Sequence, residues 1–362
     1  MDSITQAALG GLCGEMTLRK QLGWKAVAWG VFIGTLPDLD IIAYPWLDKV
    51  QQLSWHRGIS HSILMCFLAA LVLGWLLAKI HRKRGVTQRQ ATWFVFITWV
   101  THVAIDCFTS YGTQIFEPFH NHRFALNNMS IIDISFTLPM LAGLLLVLFF
   151  KKSSPTRTII GRTAAIWLCL YTTASFTLQH QANVYFEKQL SARGITPTRM
   201  MTAPTISNIF LWRMLAESGD QYHIAYWSLF DDSTRPCRID STAKGHDALE
   251  PLKDHPEAVQ LVWFTKNWHK VVQASSKPDS LLLIDMRFTE IVTPESKSPV
   301  FCWRLQEQSG NLDFNQVSFR GRSKVGETLD YLWQRIQGSA PEWMAAPWPW
   351  QDKAIDLTGQ DR

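Results

Sequence analysis

Apolar residues are bunched along the first half of this chain. Four runs, Ile63 to Ile80, Ala91 to Phe108, Ile131 to Phe150 and Ile159 to Leu178, are long enough, or nearly so, to cross a hydrocarbon core, which takes about 20 helical residues with a lower limit near 17. A fifth, Trp24 to Leu36, stops at Pro37 and reads as a short span; a re-entrant helix or a buried core helix are the alternatives. A soluble all-α protein is disfavoured, because four such runs in one region rarely occur outside membranes. After His180 the pattern changes to that of an ordinary soluble chain. A leading helix gives way to compact apolar stretches, "YHIAYWSLFDD", "AVQLVWFTKNW", "SLLLIDMRFTEIV" and "PVFCWRLQEQ", whose aromatic and β-branched residues predict strands. The expected architecture is an α-helical membrane domain of about five to six helices over 1–180, followed by a soluble α+β domain over 181–362.

Charge sets the direction of the spans, since Lys and Arg are retained on the cytoplasmic side. Lys79, Arg82, Lys83, Arg84 and Arg89 fill one short loop, and Lys151, Lys152, Arg157 and Arg162 another. The alternate loops hold only Lys49 and Arg57, and Arg123. Asp38, Asp40, His56 and His61 are therefore expected at the outer face, and the last span delivers the soluble half to that side too. The opening "MDSITQAALGGLCGEM" lacks the basic region and cleavage site of a signal peptide and is expected to be retained. It forms either a further short span, in a hairpin with Trp24 to Leu36 that puts Asp2 outside, or an interfacial helix.

The net charge of +5 sits largely in these loops, so topology explains it and no nucleic-acid partner is expected. Six cysteines at 13, 66, 107, 169, 237 and 302 form no CxxC pair, which excludes a zinc ribbon or disulfide scaffold. The first four read as packed thiols, and a Cys237–Cys302 bond stays open as a possibility. The tryptophans, "PWPW" near the end included, read as core or membrane-interface anchors, with a carbohydrate- or lipid-binding surface as the alternative.

Chemistry concentrates in three segments, "GTLPDLD" (Gly34 to Asp40), "HRGISHS" (His56 to Ser62) and "THVAIDCFTSYGT" (Thr101 to Thr113). His102 and Asp106, four apart on a helix, project from one face within reach of a shared ion; a structural His–Asp hydrogen bond is the plain alternative. Pro37 ends a helix, so Asp38 and Asp40 can approach one site from a turning segment, or one of them can be a cap in a solvated loop. His56 and His61, five apart, suit a loop entering a helix, with Gly58 in an unusual backbone angle, Ser60 as a cap and His61 in the first turn. Imidazoles with carboxylates suit zinc, manganese or iron, and a bound ion would make water a nucleophile. The expected metal ligands are Asp38, Asp40, His56, His61, His102 and Asp106, with Asp2, Gln6 and Asp133 as possible additions. Asp38, Arg57 and Asp106 are the expected catalytic residues, Arg57 pairing with an anionic group such as phosphate. Tyr111, Glu117, His120, His122 and Asn127 are expected on the outer side, where His120 and His122, spaced for metal or a polar turn, are expected around the site or facing substrate.

LPDLD (Leu36 to Asp40), HRGISHS and the run from His102 through Asp106 to Thr109, Gly112 and Pro118 together resemble the YdjM-like family of bacterial membrane-bound metal-dependent hydrolases, over about the first 180 residues. The resemblance implies a metal-dependent hydrolase of the bacterial membrane; with the charge reading, the expectation is a multi-pass inner-membrane protein whose C-terminal domain is periplasmic, holding a divalent metal, zinc first. A remoter similarity to zinc-dependent phospholipases C and P1-type nucleases points to phosphoesters, including a phosphorylated lipid or envelope precursor, with membrane lipids as partners. Many family members have His where this chain has Gln6, and some have His where it has Ile41, so the ligand set here is leaner. Two competing readings are a non-catalytic metal-binding membrane protein that senses or organises envelope partners, and a transporter. The oligomeric state is not legible.

Overall fold

The computed structural model describes residues 1–232, 236–273, 280–292, 297–308, 311–317 and 325–338; "PWPW" lies outside them. The chain divides into two compact units, Met1–Phe176 with Ile206–Asn208, and Thr177–Thr205 with Ile209–Arg362.

The first unit is helical. α1 (Ser3–Leu22) and α2 (Trp24–Thr35) form a hairpin turned by Gly23, whose φ of 61° favours glycine. α1 is thus a full helix paired with α2, as the hairpin alternative expected, although it is not among the helices long and apolar enough to cross a membrane. The pair crosses at backbone contact. A Cβ on Gly30 would lie 2.0 Å from the Gly10 carbonyl oxygen, and one on Gly14 would lie 2.0 Å from that of Ala26. Gly10 and Gly14 on α1 meet Ala26, Gly30 and Gly34 on α2, the small-residue spacing that lets membrane helices approach.

After α2 the chain bends by 44° into a 3-10 helix, Pro37–Trp46, since proline at its first position cannot continue the hydrogen bonding of α2. α3 (Lys49–Trp55), capped by Asp48, leads to a short turn, Ile59–His61, and then to α4 (Ile63–Ile80). The cap of α4 is Ser62, whose Oγ accepts the Met65 N–H at 3.1 Å. The expected cap, Ser60, is used otherwise, and His61 precedes the helix. α5 (Gln88–Cys107) returns antiparallel, α6 (Ile134–Leu148) follows a long loop, and α7 (Pro155–Ser191) runs 37 residues.

Of the expected spans, Ile63 to Ile80 coincides with α4, and Ile159 to Leu178 falls within α7. These two helices are long and apolar enough to cross a membrane, and α2 with its bent continuation makes a third if the two count as one span. α5 fills the Ala91 to Phe108 run but is not among them, because Thr98, Thr101, His102 and Asp106 interrupt its apolar face. The run from Ile131 shrinks to the 15 residues of α6 because Asp133 caps it, its carboxylate accepting the Phe136 N–H at 3.1 Å.

The second unit holds two four-stranded antiparallel sheets. β1 (Arg199–Pro204), β2 (Leu211–Ser218), β3 (Gln221–Ser228) and β4 (Ile239–Ala243) lie in chain order. α8 (Pro256–Phe264) precedes β5 (His269–Gln273) and β6 (Ser280–Asp285). β7 (Ile291–Val292) pairs with β8 (Lys297–Ser298), and β9 (Cys302–Gln308) and β10 (Asn311–Gln316) complete the second sheet in the order β10-β9-β6-β5. Leu215 and Ile224 from one sheet, Leu282 and Cys302 from the other, and Leu332 of α9 (Val325–Ile336) share one apolar core. The α+β expectation stands with one correction. "AVQLVWFTKNW" is mainly the helix α8, not a strand: Pro256 opens it, and Ala258, Leu261 and Phe264 recur at helical spacing on its buried face. Cys237 and Cys302 are both free thiols.

Candidate metal centre

Four side chains from three separate stretches meet inside the helical unit. Asp38 comes from the bent continuation of α2, His61 from the turn before α4, and His102 and Asp106 from one face of α5. One ligand atom from each lies within 4.8 Å of all the others. His61 Nε2 is 3.1 Å from His102 Nε2, 3.3 Å from Asp38 Oδ1 and 3.2 Å from Asp106 Oδ2. His102 Nε2 is 3.5 Å from Asp38 Oδ1 and 3.6 Å from Asp106 Oδ2. Tetrahedral bonds of about 2.05 Å set edges of about 3.3 Å between ligand atoms, and the cis edges around an octahedral ion at about 2.1 Å are close to 3 Å. The observed edges fall in that range.

Hydrogen bonding fixes what these atoms offer. His102 Nδ1 donates to the Gly34 carbonyl oxygen at 2.7 Å, a backbone acceptor that allows only the Nδ1–H form. Ser60 Oγ donates to Asp40 Oδ2 at 3.0 Å and so accepts from His61 Nδ1 at 2.8 Å. Each imidazole therefore turns Nε2 toward the centre, the atom that carries the lone pair when the ring is neutral. Asp106 Oδ2 is buried without a hydrogen-bond partner. Its other oxygen is well supplied, by Gln6 Nε2 at 3.0 Å, Arg57 Nη2 at 3.2 Å and the Met1 α-amino nitrogen. With both rings neutral the four facing atoms are all acceptors, and a cation between them relieves their repulsion, so the donor set fits a divalent ion. The imidazole–oxygen pairs behind it are those that orient metal-binding histidines.

The structure brings Asp38, His61, His102 and Asp106 together and sets the other expected ligands outside the cluster. Asp40 and His56 lie behind His61. Asp40 Oδ1 is 2.9 Å from His56 Nδ1, and its Oδ2 accepts the Arg57 N–H at 3.1 Å. Gln6 serves Asp106 through its amide nitrogen. Asp2 caps α1, accepting from the Ile4 and Thr5 N–H groups, and Asp133 caps α6 and accepts the Tyr171 hydroxyl at 2.8 Å.

Arg57, in the left-handed region at φ 59°, turns its guanidinium inward. Nη1 donates to Thr109 Oγ1 at 3.1 Å, and Nε has no partner. The Tyr111 ring lies 4.7 Å from the guanidinium carbon. His120 and His122 are exposed, the His122 N–H donating to His120 Nδ1. The roles of Ser60, expected only as a cap, of Thr109, named only in the family motif, and of the Gly34 carbonyl were not foreseen. Only Ser60 had a usable signal, as the hydroxyl preceding a ligand histidine.

The uncharacterized protein YfhP of Bacillus subtilis (strain 168) is 27% identical over 169 residues, 44% of this chain and 50% of that protein; the chain thus spans about half the length of that curated relative. No solved structure matches. The family model described as YdjM inner membrane protein matches residues 1–182, half of the chain and all four clustered residues, and the chain belongs to that family.

Proposed function

We propose that this chain is a membrane-embedded metal-dependent hydrolase of phosphoesters, working at the non-cytoplasmic face of the inner membrane. The observation that carries the reading is the convergence of two imidazoles and two carboxylates, one of them the partly exposed Asp38, inside a membrane protein. A divalent ion there, zinc by the donor chemistry or manganese or iron, supplies the Lewis acidity that makes water a nucleophile near neutral pH. His61 and His102 hold their lone pairs on the centre through Ser60 and Gly34. Arg57 and Gln6 fix Asp106, so the proposal gives Arg57 the role of neutralising that carboxylate. Asp38, the one partly exposed member of the four, marks the side from which substrate and water would enter.

Orientation rests on charge. α4 carries the chain from His61 to Arg82–Arg84, and α5 brings it back from Arg89 to His102 and Asp106, so the basic loop and the cluster lie at opposite ends of one hairpin. Lys152 Nζ donates to the Lys20 carbonyl at 3.0 Å, adding further basic residues to the end away from the cluster. The positive-inside rule assigns that end to the cytoplasm. α7 then leads the chain outward, and the C-terminal unit belongs on the periplasmic side.

A second reading is favoured by one feature, the presence of four protein ligands. A tetrahedral ion would be closed by them, as in structural sites, and the protein would then bind metal without turnover. Hydrolysis needs a further coordination position, hence a five- or six-coordinate ion. The test is metal analysis of the detergent-purified protein, followed by turnover of chromogenic phosphodiesters by wild type, His61→Ala and Asp106→Ala. Turnover that disappears together with the metal supports the hydrolase. Stoichiometric metal without turnover on a broad phosphoester panel moves the assignment to the second reading.

A further inference from the structure

Access to the cluster is one-sided. The Asp38 side chain is 18% exposed, whereas those of His61, His102 and Asp106 are 0%, 1% and 0% exposed. Whatever reaches the centre therefore passes Asp38. The residues that follow Asp38 on the same 3-10 helix are apolar and turned outward: Leu39, Ile41, Ile42 and Trp46 are all exposed. Trp55 extends this rim, its indole N–H donating to the Asp40 carbonyl at 3.0 Å while the ring stays exposed. With α2, the element carrying them makes a broken span or a re-entrant loop, and an apolar rim on either suits contact with lipid.

We infer that the site takes an amphiphile, a membrane phospholipid whose phosphate lies over Asp38 while its acyl chains run along Leu39, Ile42 and Trp46. This rests on the reading that the cluster holds a divalent ion and narrows its substrate class. Beside the polar Asp38 and His56, whose side chains are 18% and 21% exposed, the rim offers apolar surface that a water-soluble phosphoester would not use. Apolar contact along the rim holds the chains, and the ion's charge draws the phosphate.

The experiment uses full-length protein in dodecyl maltoside micelles, loaded with Mn²⁺, whose paramagnetism relaxes nearby phosphorus nuclei. Short-chain phosphatidylglycerol and its chain-free headgroup, glycerophosphoglycerol, are titrated separately and followed by ³¹P relaxation. The lipid is expected to be relaxed at concentrations at least about tenfold lower than the headgroup, the effect of burying some two methylenes. Ile42→Ser with Trp46→Ser should erase that difference while leaving Mn²⁺ content unchanged; Leu39→Ser serves as a second probe if the double variant does not fold. Equal relaxation by lipid and headgroup overturns the inference, as does retention of bound Mn²⁺ with relaxation of neither, and both outcomes leave the metal centre standing. Failure of the wild type to hold Mn²⁺ or zinc removes the centre and the inference with it.

Discussion

His61 and His102 face each other nitrogen to nitrogen, Nε2 to Nε2, at 3.1 Å, with each Nδ1 already bonded to an oxygen behind it. In their neutral form the two rings would set lone pairs against each other at that distance, and with two carboxylate oxygens beside them the cluster is arranged to take a cation.

Removing one member should therefore remove the ion. His61→Ala, His102→Ala and Asp106→Ala are each expected to weaken divalent-metal affinity by more than about 100-fold, beyond the 10- to 100-fold typical of losing an outer hydrogen bond. Competition against a chelator of known affinity, on protein in detergent, measures it. An alanine variant that keeps wild-type affinity would show that the ion lies elsewhere.

Ser60→Ala tests the outer layer. Without that hydroxyl, His61 Nδ1 has no partner at 2.8 Å and the connection to Asp40 is cut. The imidazole can then rotate or change tautomer, and affinity should fall by about 10- to 100-fold with little change in thermal stability. Glycine at Ser60 should match alanine and threonine should restore binding, because only the oxygen matters.

The α1–α2 crossing predicts a contrast between neighbouring glycines. Gly30→Ala places a methyl carbon 2.0 Å from a backbone oxygen, which cannot yield, whereas Gly11→Ala meets Leu144 Cδ2 at 2.6 Å, the tip of a side chain that can rotate. The first should cost more than the ~1–3 kcal/mol usual for overpacking. It should also weaken metal binding, since Gly34, one turn on, holds His102. The second should cost less and leave metal binding intact. Thermal melts with and without added metal separate the two.

How much of this was legible depends on the kind of signal. His102 and Asp106 were readable because helical spacing puts residues four apart on one face whatever the tertiary context. His61 and Asp38 were readable as candidates. Their separation from His56 and Asp40 was not, because that depends on the path of a ten-residue 3-10 helix and on which imidazole faces which oxygen. The Gly34 carbonyl is backbone, and no side chain announces it. Gly10 and Gly14 carried a signal that was overlooked, an i, i+4 small-residue pair opposite another on the next helix. α8 was misread because a short apolar run suits strand or helix equally, and the deciding clue, Pro256 followed by Glu257, is local and easily missed.

The C-terminal unit offers a prediction independent of the metal. His269, on β5, is 3% exposed, its Nδ1 meeting Thr265 Oγ1 at 3.2 Å, and the His246 ring is stacked on it at 4.2 Å. Burial first, then the neighbouring His246 and Arg199, lowers its pKa to about 3, against about 6.5 in an unfolded chain. Above pH 6.5 both states hold a neutral imidazole, and this residue adds no pH dependence. Between pH 6.5 and 3 the unfolded chain binds a proton that the folded one refuses, so stability is lost as the pH falls, approaching about 1.4 kcal/mol per pH unit. From pH 7.5 to 5.5 the melting temperature of this unit should drop by about 3 °C from this group alone. His269→Asn, which keeps a donor toward Thr265 but cannot titrate, should flatten the slope in that window. Glu217 also carries a lowered pKa, through Lys244 and Arg199, but an acid loses its stabilising charge only below about 4.5, outside the window. Parallel pH slopes for wild type and variant would therefore mean that His269 is protonated in the folded protein and that its burial does not govern acid stability.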